Sequence, residues 1–155
     1  MKLSNIILLF IGFVFLASCK KEEENPSSLA EQDQILQDYF ATNNINPQKT
    51  ESGLYYVVDE QGSPIQNGET IRVHYEGKLL TTGEIFDSSF SRGTPFSFPV
   101  GTGQVIQGWD EGIPLIGKGG KGTLYIPSHL GYGSRSAGSA IKPYSILIFR
   151  VEVFN

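Results

Sequence analysis

The spacing of hydrophobic positions changes along the chain, from a helical period before residue 53 to an alternating one after it. Ile71, Val73 and Tyr75 alternate with polar residues, which predicts a strand with one buried face and one solvated face. Gly, Pro, Asn and Asp separate such runs at intervals of roughly eight to twelve residues, a spacing typical of β proteins. The further predicted strands are 54–58, 121–126 and 145–154. In the last of them the residues on one face are Leu147, Phe149, Val151 and Val153.

A helix is predicted before these strands. Ser28 followed by Glu31 fits a capping box, in which the serine side chain accepts a backbone N–H and the glutamate reaches back. One apolar stripe follows, made by Ile35, Leu36, Tyr39 and Phe40. The helical pattern ends at Asn43 and Asn44, before Pro47. The stripe fits packing on the rest of the domain and equally fits packing against a second copy of the chain.

A second, shorter helix is predicted between two of the strands. Residues 105–116 contain Trp109 and favour about two turns of helix that end before Pro114. One short helix crossing a twisted antiparallel sheet is an α+β arrangement. The predicted fold class is therefore α+β, an antiparallel twisted sheet wrapped around one short helix, with an N-terminal helical extension.

The N-terminus has the features of a leader. Lys2 precedes an apolar run, residues 6–16, which is too short to span a bilayer comfortably. The run ends in Leu16-Ala17-Ser18-Cys19, which resembles the lipobox of bacterial lipoprotein signal peptides. The resemblance implies cleavage before Cys19, lipidation of its thiol and stable membrane anchoring through several acyl chains. A plain secretory signal with an incidental cysteine is the alternative.

These features divide the chain into four parts. Residues 1–18 are the expected lipoprotein signal peptide, and 19–27 are the lipidated Cys19 with a flexible, charged tether. Residues 28–50 form the helical segment, and 51–155 form the main domain. The expected location is the cell envelope, lipid-anchored at the outer membrane and facing either the periplasm or the surface.

Composition and charge exclude several classes of function. The 155 residues, 39% hydrophobic and 18% charged, fit one globular domain with additional segments. A formal net charge of -4 gives no electrostatic footprint for nucleic acid. Cys19, His74 and His129 are too few and too scattered for a structural zinc site. Carboxylates could still bind a metal, but no spacing suggests it, and no metal and no cofactor is expected. Both histidines are predicted to lie at the surface without a nucleophile beside them.

One glycine pattern invites a nucleotide-binding interpretation. Residues 117–122 satisfy G-x-G-x-x-G, which requires a strand before it and a helix after it. Here residues 123–127 follow as a strand ended by proline. The pattern therefore favours a flexible hairpin turn.

Aromatic residues concentrate in the main domain, together with Asp87. They are Tyr75, Phe86, Phe96, Phe98, Trp109, Tyr132 and Phe149. Aromatic residues at strand spacing are more often core than site, so composition alone leaves their role open.

Four motifs follow one another in the main domain. They are Val73-His74-Tyr75-Glu76-Gly77, Gly83-Glu84-Ile85-Phe86-Asp87-Ser88-Ser89, Val105-Ile106-Gln107-Gly108-Trp109-Asp110-Glu111-Gly112 and Gly131-Tyr132-Gly133. In their order and spacing they resemble FKBP-type peptidyl-prolyl isomerases. The resemblance covers about residues 68–153, and 52–58 looks like the lead-in strand of bacterial members. It implies an FKBP-like fold, with an antiparallel sheet of five or six strands wrapped around a short helix.

The resemblance also implies a site. Trp109 would be the floor under a substrate proline ring, and Tyr132 and the Ile106 N–H would donate hydrogen bonds to substrate carbonyls. Asp87, next to Phe86, would be the charged group at the rim, where the family's carboxylate helps to hold the pocket tyrosine or polarises the twisted amide. The implied walls are Tyr75, Phe86, Phe96, Val105, Ile106 and Phe149. Ile141 of the segment over the pocket is a further expected substrate-binding residue. All seven aromatic side chains named above are expected to converge on this hollow.

Three positions depart from the family pattern. Lys142 follows Ile141 where the family has proline, and it restores a backbone N–H and adds a charge. Pro99 after Phe98 predicts an edge or a bulge. Gly131 adds backbone freedom before Tyr132.

The implied function is cis-trans isomerisation of X-Pro bonds in proteins that fold outside the cytoplasm. The expected partners are proline-containing polypeptides, FK506-like macrolides and the membrane through Cys19, with no nucleic acid. Residues 28–40 would in addition dimerise the protein or lengthen its reach. Two alternatives are a non-catalytic holding chaperone that binds proline segments in the same pocket, and a structural envelope lipoprotein whose aromatic residues are only core.

Overall fold

The structure, a computed structural model, describes residues 26–154. The expected signal peptide, the lipidation site Cys19 and nearly all of the tether lie outside the described residues. The elements in chain order are α1 (Leu29–Asn43), β1 (Gln48–Lys49), β2 (Tyr55–Glu60), β3 (Thr70–Leu79), β4 (Ile85–Ser88), α2 (Ser89–Arg92), β5 (Phe96–Pro99), α3 (Gln107–Ile116), β6 (Lys121–Ile126), a 3-10 turn (Ser128–Leu130) and β7 (Leu147–Phe154).

The strands form one antiparallel sheet in the order β1-β2-β6-β7-β3-β4. β5 lies beside β4 along the same edge of β3, where residues 70–73 pair with β5 and 76–78 pair with β4. β5 pairs with no other described strand, which accommodates Pro99 at an edge. The α+β class, with an antiparallel sheet, a short helix and an N-terminal helix, is confirmed.

The alternation in β3 and β7 separates the two faces of the sheet. Ile71, Val73 and Tyr75 are buried on the face that packs against α3, which we call the inner face. In β7, Phe149 lies on this face while Ile148 lies on the opposite, outer face and is also buried. β7 begins at Leu147, two residues later than predicted.

α3 packs closely on the inner face of the sheet. Ile113 and Ile116 are fully buried, and a Cβ on Gly112 would lie 2.7 Å from a methyl group of Leu124, so glycine permits the close approach. The helix continues through Pro114 to Ile116, and the prediction that it ends before this proline is wrong. Pro114 lacks the N–H that would donate to the Asp110 carbonyl, so the helix continues past it with one backbone hydrogen bond fewer.

α1 packs on the outer face of the same chain's sheet, which decides between the two packing alternatives for its stripe. Leu36 is fully buried and Phe40 is 3% exposed, against Tyr55 and Tyr125 of the sheet. The expected capping box is wrong, because the side chain of Ser28 makes no capping hydrogen bond. The Ser28 carbonyl instead accepts the Gln32 N–H at 3.0 Å, which starts the helical ladder.

The glycine-rich segment 117–122 joins α3 to β6. It is a connection from a helix to a strand, so the predicted hairpin turn is wrong. The order helix, turn, strand is the reverse of the nucleotide-binding pattern. Gly117 and Gly119 both have positive φ, which the turn requires, and Lys118 forms an ion pair with Glu69.

None of the helices within residues 26–154 combines the length and the apolar character that a membrane crossing needs.

Candidate active site

An open cavity of about 740 Å³ lies on the inner face, over the N-terminal end of α3. Its walls come from β3, β4, β5, β7, the loop before α3 and the segment 131–145, which we call the flap. All ten residues predicted to form the pocket line it, namely Tyr75, Phe86, Asp87, Phe96, Val105, Ile106, Trp109, Tyr132, Ile141 and Phe149.

Trp109 lies at the bottom of the cavity and is 4% exposed. Its ring meets those of Tyr75 and Phe149 edge to face, at centroid distances of 5.1 and 5.2 Å. The Trp109 indole N–H is buried and has no hydrogen-bond partner among the described residues. An unpaired buried donor costs free energy, and here it lies among apolar rings.

Phe98 does not line the cavity, although it belongs to the predicted aromatic set. It is 2% exposed and stacks on Phe96, with the ring centroids 5.6 Å apart. Phe96 is 42% exposed at the cavity rim, whereas Phe98 packs behind it against Trp109. Six of the seven predicted rings therefore converge, and the expectation of seven is wrong.

A glycine in β3 allows two of these rings to meet. A Cβ on Gly77 would lie 2.7 Å from the rings of both Phe86 and Phe149. The two rings pack edge to face at 5.5 Å over this gap. Gly77 therefore fixes the shape of the cavity wall because no larger residue fits there.

Asp87 binds a tyrosine and an arginine at the cavity mouth. The Tyr75 hydroxyl and Arg92 each donate a hydrogen bond to its carboxylate, and Arg92 also donates to the Tyr75 hydroxyl at 3.0 Å. Burial, together with the hydrogen bond to Asp87, raises the pKa of Tyr75. Burial opposes ionisation of Asp87, but the hydrogen bonds from Tyr75 and Arg92 outweigh it and leave the pKa of this carboxyl below its ordinary value.

The sequence motifs did not single out Arg92, and local structure explains its position. Ser88 caps α2 by accepting the Ser91 N–H at 3.4 Å, and Gly93 ends this short helix with φ of 67°. The single turn returns Arg92 to Asp87, five residues earlier. A serine at the helix start and a glycine at its end were the available signal.

A buried serine holds the backbone of Tyr75. The Ser89 hydroxyl accepts the Tyr75 N–H at 2.7 Å, at the point where the edge of β3 passes from β5 to β4. His74 is half-buried, with Nδ1 3.0 Å from the same hydroxyl and its ring stacked on Phe90. The expected surface position of His74 is therefore only partly correct.

The loop before α3 is fixed by an aspartate of the helix. The two carboxylate oxygens of Asp110 accept the N–H groups of Gly101 and Gly103 at 2.8 and 2.7 Å. This loop presents Val105 and Ile106 to the cavity. Within residues 26–154 the Ile106 N–H donates to no backbone carbonyl, so it is available to a ligand.

The flap is held by its own hydrogen bonds. Ala137 and Ile141 pair at 2.9 and 3.3 Å, and the Tyr144 N–H donates to the Gly133 carbonyl at 2.7 Å. The N–H that Lys142 restores donates to the Ser145 hydroxyl at 3.1 Å. Lys142 therefore adds a hydrogen bond within the flap in addition to a charge.

A glutamine of α1 fixes the turn that leads to Tyr132. Gln32 is fully buried, and its side chain accepts the Ser128 N–H and donates to the Ser128 hydroxyl, both at 2.8 Å. It also donates to the Pro26 carbonyl at 2.7 Å. Gln32 of α1 thus anchors the start of the turn that leads to Tyr132. The Tyr132 hydroxyl makes no hydrogen bond within the described part of the chain, so it is available to a ligand.

Sequence reasoning missed several residues of the cavity lining. They are Gln104, Gln107, Gly131, Arg135, Ala137 and Gly138. Gln104 and Gln107 flank the predicted lining residues Val105 and Ile106, and the missed flap residues lie near Tyr132 and Ile141. Neither segment has a period that assigns its residues to a face, so nearness along the chain was the only signal for them.

The site contains no arrangement for nucleophilic or metal-assisted chemistry among residues 26–154. No group of three His, Cys, Asp or Glu side chains there is placed to hold a metal ion. His129 is exposed, as predicted, and its Nε2 lies 2.8 Å from the Ser52 carbonyl oxygen, away from the cavity. The arrangement can bind and desolvate an apolar group.

Comparisons with known proteins agree with this geometry. FK506-binding protein 2 of Kluyveromyces lactis is 56% identical over 88 residues, which are 57% of this chain and 63% of that protein. A probable FKBP-type peptidyl-prolyl cis-trans isomerase of Haemophilus influenzae is 47% identical over 108 residues, which are 68% of this chain and 44% of that protein. The chain thus spans about half to two thirds of the length of these relatives.

A solved structure and a family model identify the domain. The crystal structure of FkpA from Escherichia coli superposes with a TM-score of 0.69 at 35% identity, over 81% of this chain and 59% of FkpA. A model of the family described as FKBP-type peptidyl-prolyl cis-trans isomerase matches residues 61–154. The chain belongs to the FKBP-type peptidyl-prolyl cis-trans isomerase family.

Proposed function

We propose that this protein catalyses rotation about X-Pro peptide bonds in the aromatic cavity. The observation that carries the proposal is the open cavity of about 740 Å³, floored by Trp109 and walled by rings from four different strands. The names of relatives, among them a peptidyl-prolyl cis-trans isomerase of Saccharomyces cerevisiae, support this activity. The names that mention FK506 support macrolide binding in the same cavity.

The cavity walls suit the reaction because rotation needs no covalent or acid-base group. The barrier of roughly 18–20 kcal/mol comes from lost amide resonance. The twisted amide has less charge separation than the planar one, so an apolar surrounding favours the transition state over the ground state. Rings of Trp109, Phe86 and Phe149 provide that surrounding.

Two donors would orient the substrate in this cavity. One donor is the Ile106 N–H, which precedes Trp109 in the sequence, and the other is the Tyr132 hydroxyl, which follows it. Both residues line the cavity. Hydrogen bonds from them to substrate carbonyls would hold the peptide while the bond between X and proline turns.

Asp87 would act by positioning. Its carboxylate is already bound by Tyr75 and Arg92, and its pKa is below the ordinary value, so it is ionised at neutral pH. An ionised, paired carboxylate is a poor proton donor, and its contribution is to hold the Tyr75 ring in the wall.

A refolding assay tests the activity. The chain from residue 20 onward, which includes every described element, should accelerate a proline-limited refolding phase of an unrelated protein. Peptide binding without acceleration would contradict catalysis and favour the holding chaperone. Phe86→Ala distinguishes the structural alternative, because a core-only role predicts lost stability with no separate loss of affinity for a proline peptide.

The location and the client proteins are further parts of the proposal. The lipobox-like segment before Cys19 supports a lipid-anchored protein of the cell envelope that acts on proteins folding outside the cytoplasm. Mass spectrometry of the mature protein should find acyl chains on an N-terminal Cys19. A mature chain with a free Cys19 thiol, released from membranes by salt, would contradict this assignment.

Dimerisation through α1 stays a prediction. Leu36 and Phe40 are buried within the chain, which leaves Leu29, 55% exposed, as the large apolar residue at the start of the helix. Sedimentation of the chain from residue 20, compared with Leu29→Glu, tests it, and monomers in both cases would count against a dimer.

A further inference from the structure

The cavity lining contains two charged side chains, and only one of them is compensated. Asp87 is paired with Arg92. Arg135 also lines the cavity, and it forms no ion pair with any side chain in residues 26–154. The mouth of the cavity therefore presents one unpaired guanidinium group.

The backbone holds Arg135 beside the candidate substrate-binding tyrosine. The Arg135 N–H donates to the Tyr132 carbonyl at 3.2 Å, and the paired residues Ala137 and Ile141 follow directly. The side chain itself is exposed. An anchored main chain with a free side chain places the charge at the rim without filling the cavity.

The whole flap has the same sign of charge. Residues 131–145 contain Arg135 and Lys142 and no Asp or Glu, in a chain whose formal net charge is -4. Lys142 is exposed, follows the lining residue Ile141, and has no ion pair within the described residues. Two positive charges and no acidic residue thus lie on the segment that borders the cavity.

We propose that the cavity selects X-Pro segments with an Asp or Glu next to the proline, and that Arg135 is the residue that recognises this carboxylate. The inference rests on the proposed function, since it names the substrate class of the same cavity. Arginine suits the role because its guanidinium binds carboxylates with two parallel hydrogen bonds. Lys142 adds electrostatic attraction at longer range.

The test compares peptides that differ in one charge. Two sets of tetrapeptides carry Glu or Gln before the proline, or Glu or Gln after it, without tryptophan. Trp109 is the single tryptophan of the chain, so its fluorescence reports occupancy of the cavity whether or not turnover follows. In at least one set we expect Glu to bind about two- to fivefold more tightly than Gln, as for an exposed ion pair. The ratio of kcat/KM for the same peptides should change in the same direction.

Arg135→Gln should remove the preference for Glu, and Arg135→Lys should retain part of it. Arg150→Gln is the matched control, because Arg150 lies on the outer face of β7 and should leave the ratio unchanged. Raising the salt concentration from about 0.05 to about 0.5 M should reduce the ratio of the wild-type affinities for Glu and Gln peptides, because salt screens the ion pair.

The outcomes separate this inference from the proposed function. An equal affinity for Glu and Gln in both sets, or a preference that survives Arg135→Gln, overturns the inference. Binding with an Arg135-dependent preference but no turnover supports the inference and contradicts the proposed catalysis. Failure of every peptide to change the Trp109 fluorescence or to be turned over contradicts both.

Discussion

The two faces of the sheet carry the same chemical group in different surroundings. On the outer face, Asp33 accepts hydrogen bonds from the Tyr55 hydroxyl at 2.7 Å and from Lys49 at 2.6 Å. On the inner face, Asp87 accepts them from the Tyr75 hydroxyl and Arg92. In each case the cation also lies over the tyrosine ring, at 4.9 Å on the outer face and 5.7 Å on the inner face.

What differs is the element that covers each face. α1, fifteen residues long, places Leu36 and Phe40 on the outer rings, and Phe40 lies 5.0 Å from Tyr55 and 4.9 Å from Tyr125. α3 covers the inner face with ten residues and leaves its Trp109 end open to solvent. Both faces carry aromatic clusters, but only the inner one is left accessible to a ligand, because no element within residues 26–154 covers it completely. The presence of aromatic residues therefore does not by itself identify a binding site.

The largest effect is expected from removing a ring from the buried cluster on the outer face, which we call the outer cluster and which consists of Leu36, Phe40, Tyr55, Tyr125, Ile146 and Ile148. Phe40→Ala removes a ring that is 3% exposed, so it should lower the free energy of unfolding by about 3–4 kcal/mol in a urea titration. Leu29→Ala, on the same helix at 55% exposure, is the control and should change it by less than about 0.5 kcal/mol. A loss below about 1 kcal/mol for Phe40→Ala would show that α1 does not cover the outer face in solution.

The second prediction concerns the stability of the outer cluster at high pH. Burial, with smaller contributions from Tyr39 and Asp59, raises the pKa of Tyr125 to about 12. The unfolded state releases this proton near pH 10, so between about pH 10 and 12 the folded state binds more protons and stability falls as the pH rises. The loss assigned to Tyr125 is at most about 2–3 kcal/mol.

Tyr125→Phe isolates this contribution, because the other groups titrate equally in both proteins. Urea titrations at about pH 9, 10 and 11 should show that the free energy of unfolding declines less steeply with pH in the variant than in the wild type. Parallel declines in the two proteins would mean that the Tyr125 hydroxyl ionises as easily in the folded state as in the unfolded one.

The alternation of apolar residues predicted the faces of β3 and β7 because side chains on a strand point to opposite sides in turn. The alternation did not predict how deeply each side chain on a face is buried. Phe96 and Phe98 lie two residues apart on one face of β5, yet Phe96 is 42% exposed and Phe98 is 2% exposed. Both rings lie near Trp109 of α3, at centroid distances of 6.2 and 5.6 Å, so the difference in burial comes from the surrounding tertiary packing, which the local pattern does not encode.

Motif order placed ten side chains around one cavity, whereas contacts between distant residues could not be predicted. Gln32 binds Ser128 across 96 residues, and no local period connects them. The role of α1 in fixing the turn before Tyr132 is a consequence of this contact. The helix itself was predictable from its stripe, but its stacking on the outer face needed the tertiary structure.

The two carboxylates should differ in their effect on activity. Asp87→Asn should lower kcat/KM for a proline peptide about three- to thirtyfold, because Arg92 then lacks its counter-charge beside the Tyr75 wall. Asp33→Asn is the matched control, with the same tyrosine and cation contacts on the outer face, and it should leave kcat/KM unchanged. Equal losses in the two variants would assign the effect to stability and not to the position of Tyr75.

Asp33 and Asp87 should lose their contributions to folding stability in the same way as the pH falls, although only Asp87 should affect activity. Hydrogen bonds with Lys49 lower the pKa of Asp33, and those from Tyr75 and Arg92 outweigh burial and lower that of Asp87. A lowered folded-state pKa means that the stabilisation is present above about pH 4 and is lost as the pH falls through the folded-state value. Both groups are more than a third exposed, so each contribution is small.

The smallest effect is expected at the cavity mouth, where Tyr132→Phe removes one hydroxyl. No partner of this hydroxyl is found among residues 26–154, so its loss should change the free energy of unfolding by less than about 0.5 kcal/mol. If it donates to a substrate carbonyl, peptide affinity measured by Trp109 fluorescence should fall about fivefold, which corresponds to about 1 kcal/mol. Tyr56→Phe is the control, because its hydroxyl donates to Gln48 at 2.9 Å away from the cavity. Unchanged affinity in Tyr132→Phe would remove the hydroxyl from substrate binding and leave the apolar walls as the source of affinity.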